Sequence, residues 1–283
     1  MLVTGREILE AADRGGYGVG AFNIHTLEML GPVLEVAEEL KSPILLQFTY
    51  GSIQFIGAEA IGVLGGHLAR RSPVPVAIHL DHGAGFEQSV TAIRSGFTSV
   101  MIDASRLPLE ENIAATRRVV ELAHTAGVSV EAEIGRVGGT EDHVTVNEWE
   151  ASLTLPEEAE RFAAETGVDY LAVAFGTAHG FYKGEPRLDL DRLAEVDRRV
   201  SVPLVMHGGS GVPHTLVRQA IERGVRKVNV ATELKDAWAR AVREILAVQP
   251  EEIDPRKLLA PAREAVKHVV RQKIQVVGSA GRG

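Results

Sequence analysis

The stretch Val76-Ala-Ile-His-Leu-Asp-His-Gly83 is a short apolar, β-branched run that gives way to polar residues at its C-terminal end. Runs of this kind recur at residues 18–23, 44–48, 76–81, 99–103, 129–134, 170–174, 203–207 and 227–230. Continuous apolar runs, as opposed to strict alternation, are expected of parallel strands buried on both faces. Between them lie segments of helical period, among them 110–126, 155–165, 188–199 and 214–223. Thr4-Gly-Arg-Glu7 and Thr154-Leu-Pro-Glu157 carry the Thr-x-x-Glu capping box that opens a helix. No linker rich in Pro, Gly or Ser divides the chain, and no internal repeat stands out. This order of elements predicts an α/β fold, a single (β/α)8 TIM barrel over residues 1–283. The last barrel helix is expected at 233–246 and an added C-terminal helix at 261–273. A doubly wound open sheet is the competing architecture. It would normally place a Gly-rich turn after the first strand, where Phe22-Asn-Ile-His-Thr26 stands instead.

Composition narrows the function. The chain has 283 residues, 30 Lys+Arg against 38 Asp+Glu and a net charge of −8, which disfavours a nucleic-acid-binding surface. It has no cysteine, so thiolate nucleophiles, disulfides and Cys-ligated metals are excluded. Any metal must sit on His, Asp and Glu. The opening Met1-Leu-Val-Thr-Gly-Arg-Glu7 is charged too early for a signal peptide, and no apolar run approaches the roughly 18 residues of a membrane span. A cytoplasmic location without membrane contact is expected.

In such a barrel, catalytic groups come from the C-terminal ends of several strands. Polar residues stand there with regularity: Asn23, Thr49, Asp81-His82, Asp103, then Glu131 and Glu133 within the fifth run. After the sixth come Gly176-Thr-Ala-His179-Gly180, after the seventh His207-Gly-Gly-Ser210, and at the eighth Asn229-Val-Ala-Thr232. One strand-end histidine is usually a hydrogen-bonded structural residue. Three on one rim, with carboxylates between, point to a metal, because buried ionisable groups are costly unless paired or metal-bound. His82, His179 and His207 form a three-nitrogen set with an open position, the pattern of catalytic zinc. Asp103 and Glu133 are oxygen ligands for an alternative or second divalent position. Glu131 lies deeper on the same strand face and is expected to support a ligand rather than bind the metal. His79, inside its strand, reads as a core or supporting histidine, and the other histidines read as surface residues. Gly208, Gly209 and Ser210, with Asn229, Val230, Ala231 and Thr232, offer backbone N–H groups and hydroxyls where many barrels bind phosphate. Residues 135–152 show little helical or strand signal. Their paired glycines and acidic tip suggest a lid carrying an acid/base, Glu141 or Asp142.

With these motifs in order, the sequence resembles the class II, metal-dependent ketose-bisphosphate aldolases along essentially its whole length. The matching stretches are Gly18-Val-Gly-Ala-Phe-Asn23, His79-Leu-Asp-His-Gly83, Ser99-Val-Met-Ile-Asp103, Val130-Glu-Ala-Glu-Ile-Gly135, Gly176-Thr-Ala-His-Gly180, His207-Gly-Gly-Ser210, Lys227-Val-Asn-Val-Ala-Thr-Glu233 and Gly278-Ser-Ala-Gly-Arg282. The resemblance implies that His82, His179 and His207 hold catalytic Zn2+, that Asp103 and Glu133 make a second metal position, and that Asp81 donates the proton to the aldehyde-derived oxygen. It implies that Gly180 joins the two Gly/Asn-bearing turns in holding dihydroxyacetone phosphate, with Asn23 and Thr49 as further substrate-binding candidates and Glu141 as the mobile-loop acid/base. Thr49 stands where many fructose-bisphosphate aldolases have Ser, which keeps the hydroxyl. Ala231 stands where several of them carry Asp or Asn, and Asn229-Val-Ala-Thr-Glu-Leu-Lys235 is similar to the tagatose-bisphosphate branch, as is the short 211–224 segment. A monovalent cation is a further candidate cofactor. A phosphorylated sugar is the expected substrate, and a homodimer or homotetramer the expected assembly.

Aldol cleavage needs a carbanion beside a carbonyl, stabilised either as a Lys iminium or by a metal acting as Lewis acid. Zinc lowers the pKa of bound water from about 15.7 to about 7, on the order of 12 kcal/mol of anion stabilisation, against about 3–4 kcal/mol from one hydrogen-bond donor. The lysine found in a barrel run, Lys227, stands at the start of the eighth, away from the rim. Metal chemistry is therefore expected. The remaining alternatives are an aldolase for another phosphorylated keto sugar, such as an inositol-catabolic intermediate, and a non-catalytic phosphosugar-binding subunit.

Overall fold

The computed structural model describes residues 1–141, 144–146, 152–182 and 184–283. In chain order its strands are β1 (Val19–Asn23), β2 (Ile44–Thr49), β3 (Val76–Gly83), β4 (Ser99–Ile102), β5 (Ser129–Ile134), β6 (Gly138–Glu141), β7 (Val144–Val146), β8 (Tyr170–Val173), β9 (Ala178–His179), β10 (Leu204–Met206) and β11 (Val225–Val230). Eight of them close a parallel barrel in the order β1-β11-β10-β8-β5-β4-β3-β2. The TIM barrel expected from the sequence is present, with each expected run inside or overlapping a barrel strand.

Side chains alternate across each strand, and the register sorts them into two populations. Phe22, Leu46, Ile78, Val100, Ala132, Val228 and Val230 belong to the large outer core beneath the helices. Ala21, Leu45, Ala77, Tyr170, Ala172 and Val205 form a separate inner core, into which the helix Gly5–Gly15 packs Ile8, Leu9 and Ala12. Asn23, Gln47, His79, Asp81, Glu131, Glu133, Lys227 and Asn229 share the phase of the inner set, so the polar residues of these runs face the barrel interior. All eight are buried.

Thr4 and Glu7 form the expected reciprocal capping box. The second one is not formed. The helix Pro156–Thr166 has Leu155 at its N-cap without a side-chain bond, because Thr154 Oγ1 instead donates to the Ile134 carbonyl (2.6 Å) and accepts from the Ala174 N–H (2.8 Å). β11 starts at Val225, ahead of the expected run. Arg226 interrupts the apolar pattern, but its guanidinium turns out to Asp13 (2.8 Å) and to the Ile221 carbonyl. The C-terminal helix is Pro255–Val277, capped by Asp254, and it accommodates Pro261 internally. The segment expected to lack regular structure contains β6 and β7, which pair antiparallel, while β6 also pairs parallel with β9. Its base is pinned where Arg136 and Ser152 bridge. Among the described residues, no helix is long and apolar enough to cross a membrane.

Candidate active site

His82 lies at the end of β3, where the pairing with β4 slips between Leu80 and Gly83. The slip is a bulge, and His82 itself sits at φ 48, a left-handed conformation rare for a side-chain-bearing residue. Such strain persists where surrounding structure demands a particular aim, as at functional sites. His179 closes β9, and the pairing of Gly139 with His179 fixes its backbone. A Cβ at Gly139 would stand 2.1 Å from the His179 carbonyl, so only glycine allows this approach. His207 follows β10 directly. The rings of His82, His179 and His207 stand 4.6–5.8 Å apart centroid to centroid.

One ligand atom from each of these three lies within 4.8 Å of the others, and the same holds for His82, Asp103 and Glu133. Nitrogens bound tetrahedrally at about 2.1 Å stand roughly 3.4 Å apart, so side-chain adjustments suffice to close the triad on one ion. The surroundings choose the ligand nitrogens. His82 Nδ1 is 2.8 Å from Asp103 Oδ2, so Nε2 is the nitrogen it could offer a metal. His207 Nε2 is 2.8 Å from Glu131 Oε1, which leaves Nδ1, itself 2.9 Å from Glu133 Oε2. A carboxylate behind a ligating imidazole is the usual way of fixing its tautomer. The donor set fits a divalent metal with His ligation.

Charge balance in the site is local. Burial alone would lower the His207 pKa, but the carboxylates of Glu131 and Glu133 raise it to about 9. Burial would raise Asp103, yet its bonds from His82 and Ser105 hold it well below the ordinary carboxylate range. Burial would likewise raise Glu131, and Lys227 with the imidazoles of His207 and His79 holds it low. Glu131 thus stands behind His207, and His79 bonds Ser99 (2.6 Å) within the same buried network.

Asp81 is buried and held by three side-chain amides. Asn23 Nδ2 donates to Oδ2 at 2.8 Å, Gln47 Nε2 reaches Oδ2 at 3.3 Å, and Asn229 Nδ2 reaches Oδ1 at 3.3 Å. Gln47 also donates to Asn23 Oδ1 at 2.6 Å. Gln47 was missed in the sequence, although its inward phase on the second run was there to be read. Thr49 caps the helix Tyr50–Ile56, and its hydroxyl meets Ser52 at 3.1 Å. Ser52 also meets His25, which is half-buried rather than a plain surface residue.

His179, Gly180, Gly208, Ser210, Asn229, Ala231, Thr232 and Lys235 line one pocket. The helix Thr232–Val248 starts there, presenting its N-terminal N–H groups, a favourable place for a phosphate. Ser210 Oγ accepts from the N–H groups of Ala231 and Glu233 (3.2 and 3.4 Å). Val230 is not among these lining residues, and its side chain lies in the outer core. Gly209 packs against the Asn229 carbonyl, where a Cβ would come within 2.6 Å. Lys235, which in the sequence only closes the Asn229–Lys235 stretch, joins the pocket one turn into that helix. Tyr182 ties two of the pocket's turns together, accepting from the Ala178 N–H and donating to the Gly208 carbonyl, both at 2.9 Å. Lys227 is not at the edge of the barrel but wholly buried inside it, its Nζ 2.8 Å from Glu131 Oε2. The side chain of Glu141, and Asp142 altogether, lie outside the described residues.

The family described as "Fructose-bisphosphate aldolase class-II" matches residues 3–282. The fructose-bisphosphate aldolase of Thermus caldophilus is 48% identical over 305 aligned residues, covering 100% of both chains. The probable fructose-bisphosphate aldolase of Bacillus subtilis (strain 168) is 46% identical over 98% of both. Among solved structures, the YdjI aldolase from Escherichia coli K12 superposes with a TM-score of 0.89 at 36% identity, over 100% of this chain and 99% of that one. The chain belongs to the class-II fructose-bisphosphate aldolase family, generally metal-dependent lyases, and cleaves a ketose bisphosphate by aldol chemistry.

Proposed function

We propose that this protein is a zinc-dependent aldolase that reversibly cleaves a ketose 1,6-bisphosphate to dihydroxyacetone phosphate and glyceraldehyde 3-phosphate. The observation that carries this reading is the triad His82, His179 and His207 gathered beside the amide-held Asp81. A divalent ion held by that triad would supply a Lewis acid at the ketose carbonyl. Asp81 takes the proton of the C4 hydroxyl as the C3–C4 bond breaks, and its cradle of Asn23, Gln47 and Asn229 aims it. Glu141 returns a proton to C3. Gly180, Gly208, Gly209 and Ser210, the backbone of Asn229, Val230, Ala231 and Thr232, and Lys235 hold the phosphate of the dihydroxyacetone half. Thr49 lines the other half. Asp103 and Glu133 form a second divalent position, with Asp103 also orienting His82, and a monovalent cation accompanies substrate binding. The whole chain acts as one catalytic domain, in the cytoplasm, as a homodimer or homotetramer.

The names of the relatives favour fructose 1,6-bisphosphate as substrate. A second reading, preference for tagatose 1,6-bisphosphate, rests on Ala231 and the short 211–224 segment. A coupled assay with the two sugars side by side separates them by kcat/KM. Prolonged EDTA treatment should abolish cleavage and added zinc restore it, while borohydride with substrate should leave the enzyme active. Full activity of the metal-free protein would refute the proposal.

A further inference from the structure

A lysine sealed inside a barrel needs a reason. Lys227 is wholly buried, and so are Glu131, His79 and His207. Its ammonium lies 2.8 Å from Glu131 Oε2, an oxygen that His79 Nε2 also approaches at 3.3 Å. The other oxygen, Oε1, takes the Nε2–H of His207 at 2.8 Å. The three groups form one line: ammonium, carboxylate, imidazole. Its far end is the nitrogen Nδ1, which faces Glu133 and belongs to the metal-binding cluster. A carboxylate without a balancing charge in a dry interior is costly.

We propose that Lys227 is a positioning residue for the metal ligand His207, acting through Glu131: the ammonium balances and aims the carboxylate, and the carboxylate keeps the His207 proton on Nε2 so that Nδ1 meets the metal. The proposal rests on the reading of His207 as a ligand. It explains why a lysine occupies an inward position of β11, level with Val19 of β1 and Val205 of β10, where a small or apolar side chain would fill the barrel without a charge. Outer partners of this kind typically contribute 10- to 100-fold in metal affinity.

The test is zinc affinity, measured on the metal-free enzyme by chelator competition. Lys227→Met should bind zinc about 10- to 100-fold more weakly than the parent. The double variant Lys227→Met/Glu131→Gln should be no weaker than Lys227→Met, because the lysine acts only through that carboxylate. Additional weakening in the double variant overturns the proposal, as does parent-like affinity in Lys227→Met. Should Lys227→Met fail to fold, the double variant decides, since it leaves no unbalanced buried charge. At least tenfold weaker zinc binding in it supports the proposal, and parent-like affinity reduces Lys227–Glu131 to a core ion pair. A parent protein that binds no zinc would instead overturn the metal site itself, which separates the two failures.

Discussion

Asp81 and His82 are neighbours with different surroundings, and their difference is chemical. Asp81 is surrounded by amide donors, whereas His82 is turned by a bulge at positive φ towards the other histidines. Asp81→Ala should therefore bind zinc as tightly as the parent and still exchange the dihydroxyacetone phosphate C–H with solvent. Carbon–carbon cleavage should fall by roughly 10²–10⁴, the usual contribution of a general acid/base. Isotope exchange and cleavage measured on one preparation check this, and equal loss of both would make Asp81 a metal-supporting residue. His207 carries a pH signature in the metal-free protein. Its pKa rises from 6.5 to about 9 in the folded state, so its contribution to stability is full below pH 6.5 and is lost as pH climbs through about 9. Melting curves of the metal-free enzyme should fall across that window. Zinc loading, which requires the neutral ring, should flatten the dependence. The strand-end positions of both residues were legible in the sequence. The ring nitrogen each histidine offers was not, because that depends on Asp103, just after β4, and Glu131 on β5.

Among elements, the β6–β7 hairpin is the one that local sequence signal hides. Residues 138–146 are short and rich in glycine and threonine, so periodicity has little to act on. The pairing of β6 with β9 makes the hairpin the scaffold of His179. Gly139→Ala should disrupt that pairing, since its φ of 99 and the 2.1 Å approach to His179 both exclude a Cβ. Zinc affinity should drop at least tenfold while the barrel, which does not include this sheet, stays folded. Gly127→Ala is the control: it has φ 70 but nothing within 4 Å of the added Cβ. It should cost about 1–2 kcal/mol of stability and leave zinc binding alone. Capping signals behaved unevenly for a similar reason. Thr4 opens its helix as the motif predicts, whereas Thr154 is drawn to the backbone of Ile134 at the end of β5 and Ala174 just past β8. Pro261 looked like a helix start, but the favourable Asp254–Pro255 cap lies upstream and the longer helix absorbs the second proline.

At the scale of the molecule, the candidate metal cluster joins distant parts of the chain: His82 from β3, His179 from the small sheet and His207 after β10. An ion bound only when these segments are in place must stabilise the closed barrel. Zinc at a thousandfold excess over its Kd should add about 4 kcal/mol, which for a chain of this size raises Tm by roughly 8–16 °C. Calorimetry with and without EDTA checks this, and a Tm indifferent to zinc would mean that the triad does not bind it in the folded state.

The sequence by itself determined the order of the elements, the closed α/β architecture and the ring of polar residues at the strand ends. Those features are encoded locally. Strand and helix identity follow from the spacing of apolar residues, and the inward facing of Asp81, Glu131, Glu133 and Asn229 follows from the two-residue period of a strand. Tertiary structure alone decided which of these residues touch. His207 and Glu131 lie 76 residues apart, and only the registers of the closed barrel bring them to 2.8 Å. The same closure carries Lys227 against Glu131, and a separate small sheet sets the glycine-lined hairpin against His179. Contacts of this kind depend on strand pairing and stagger around the whole ring, a property that no local stretch of side chains contains.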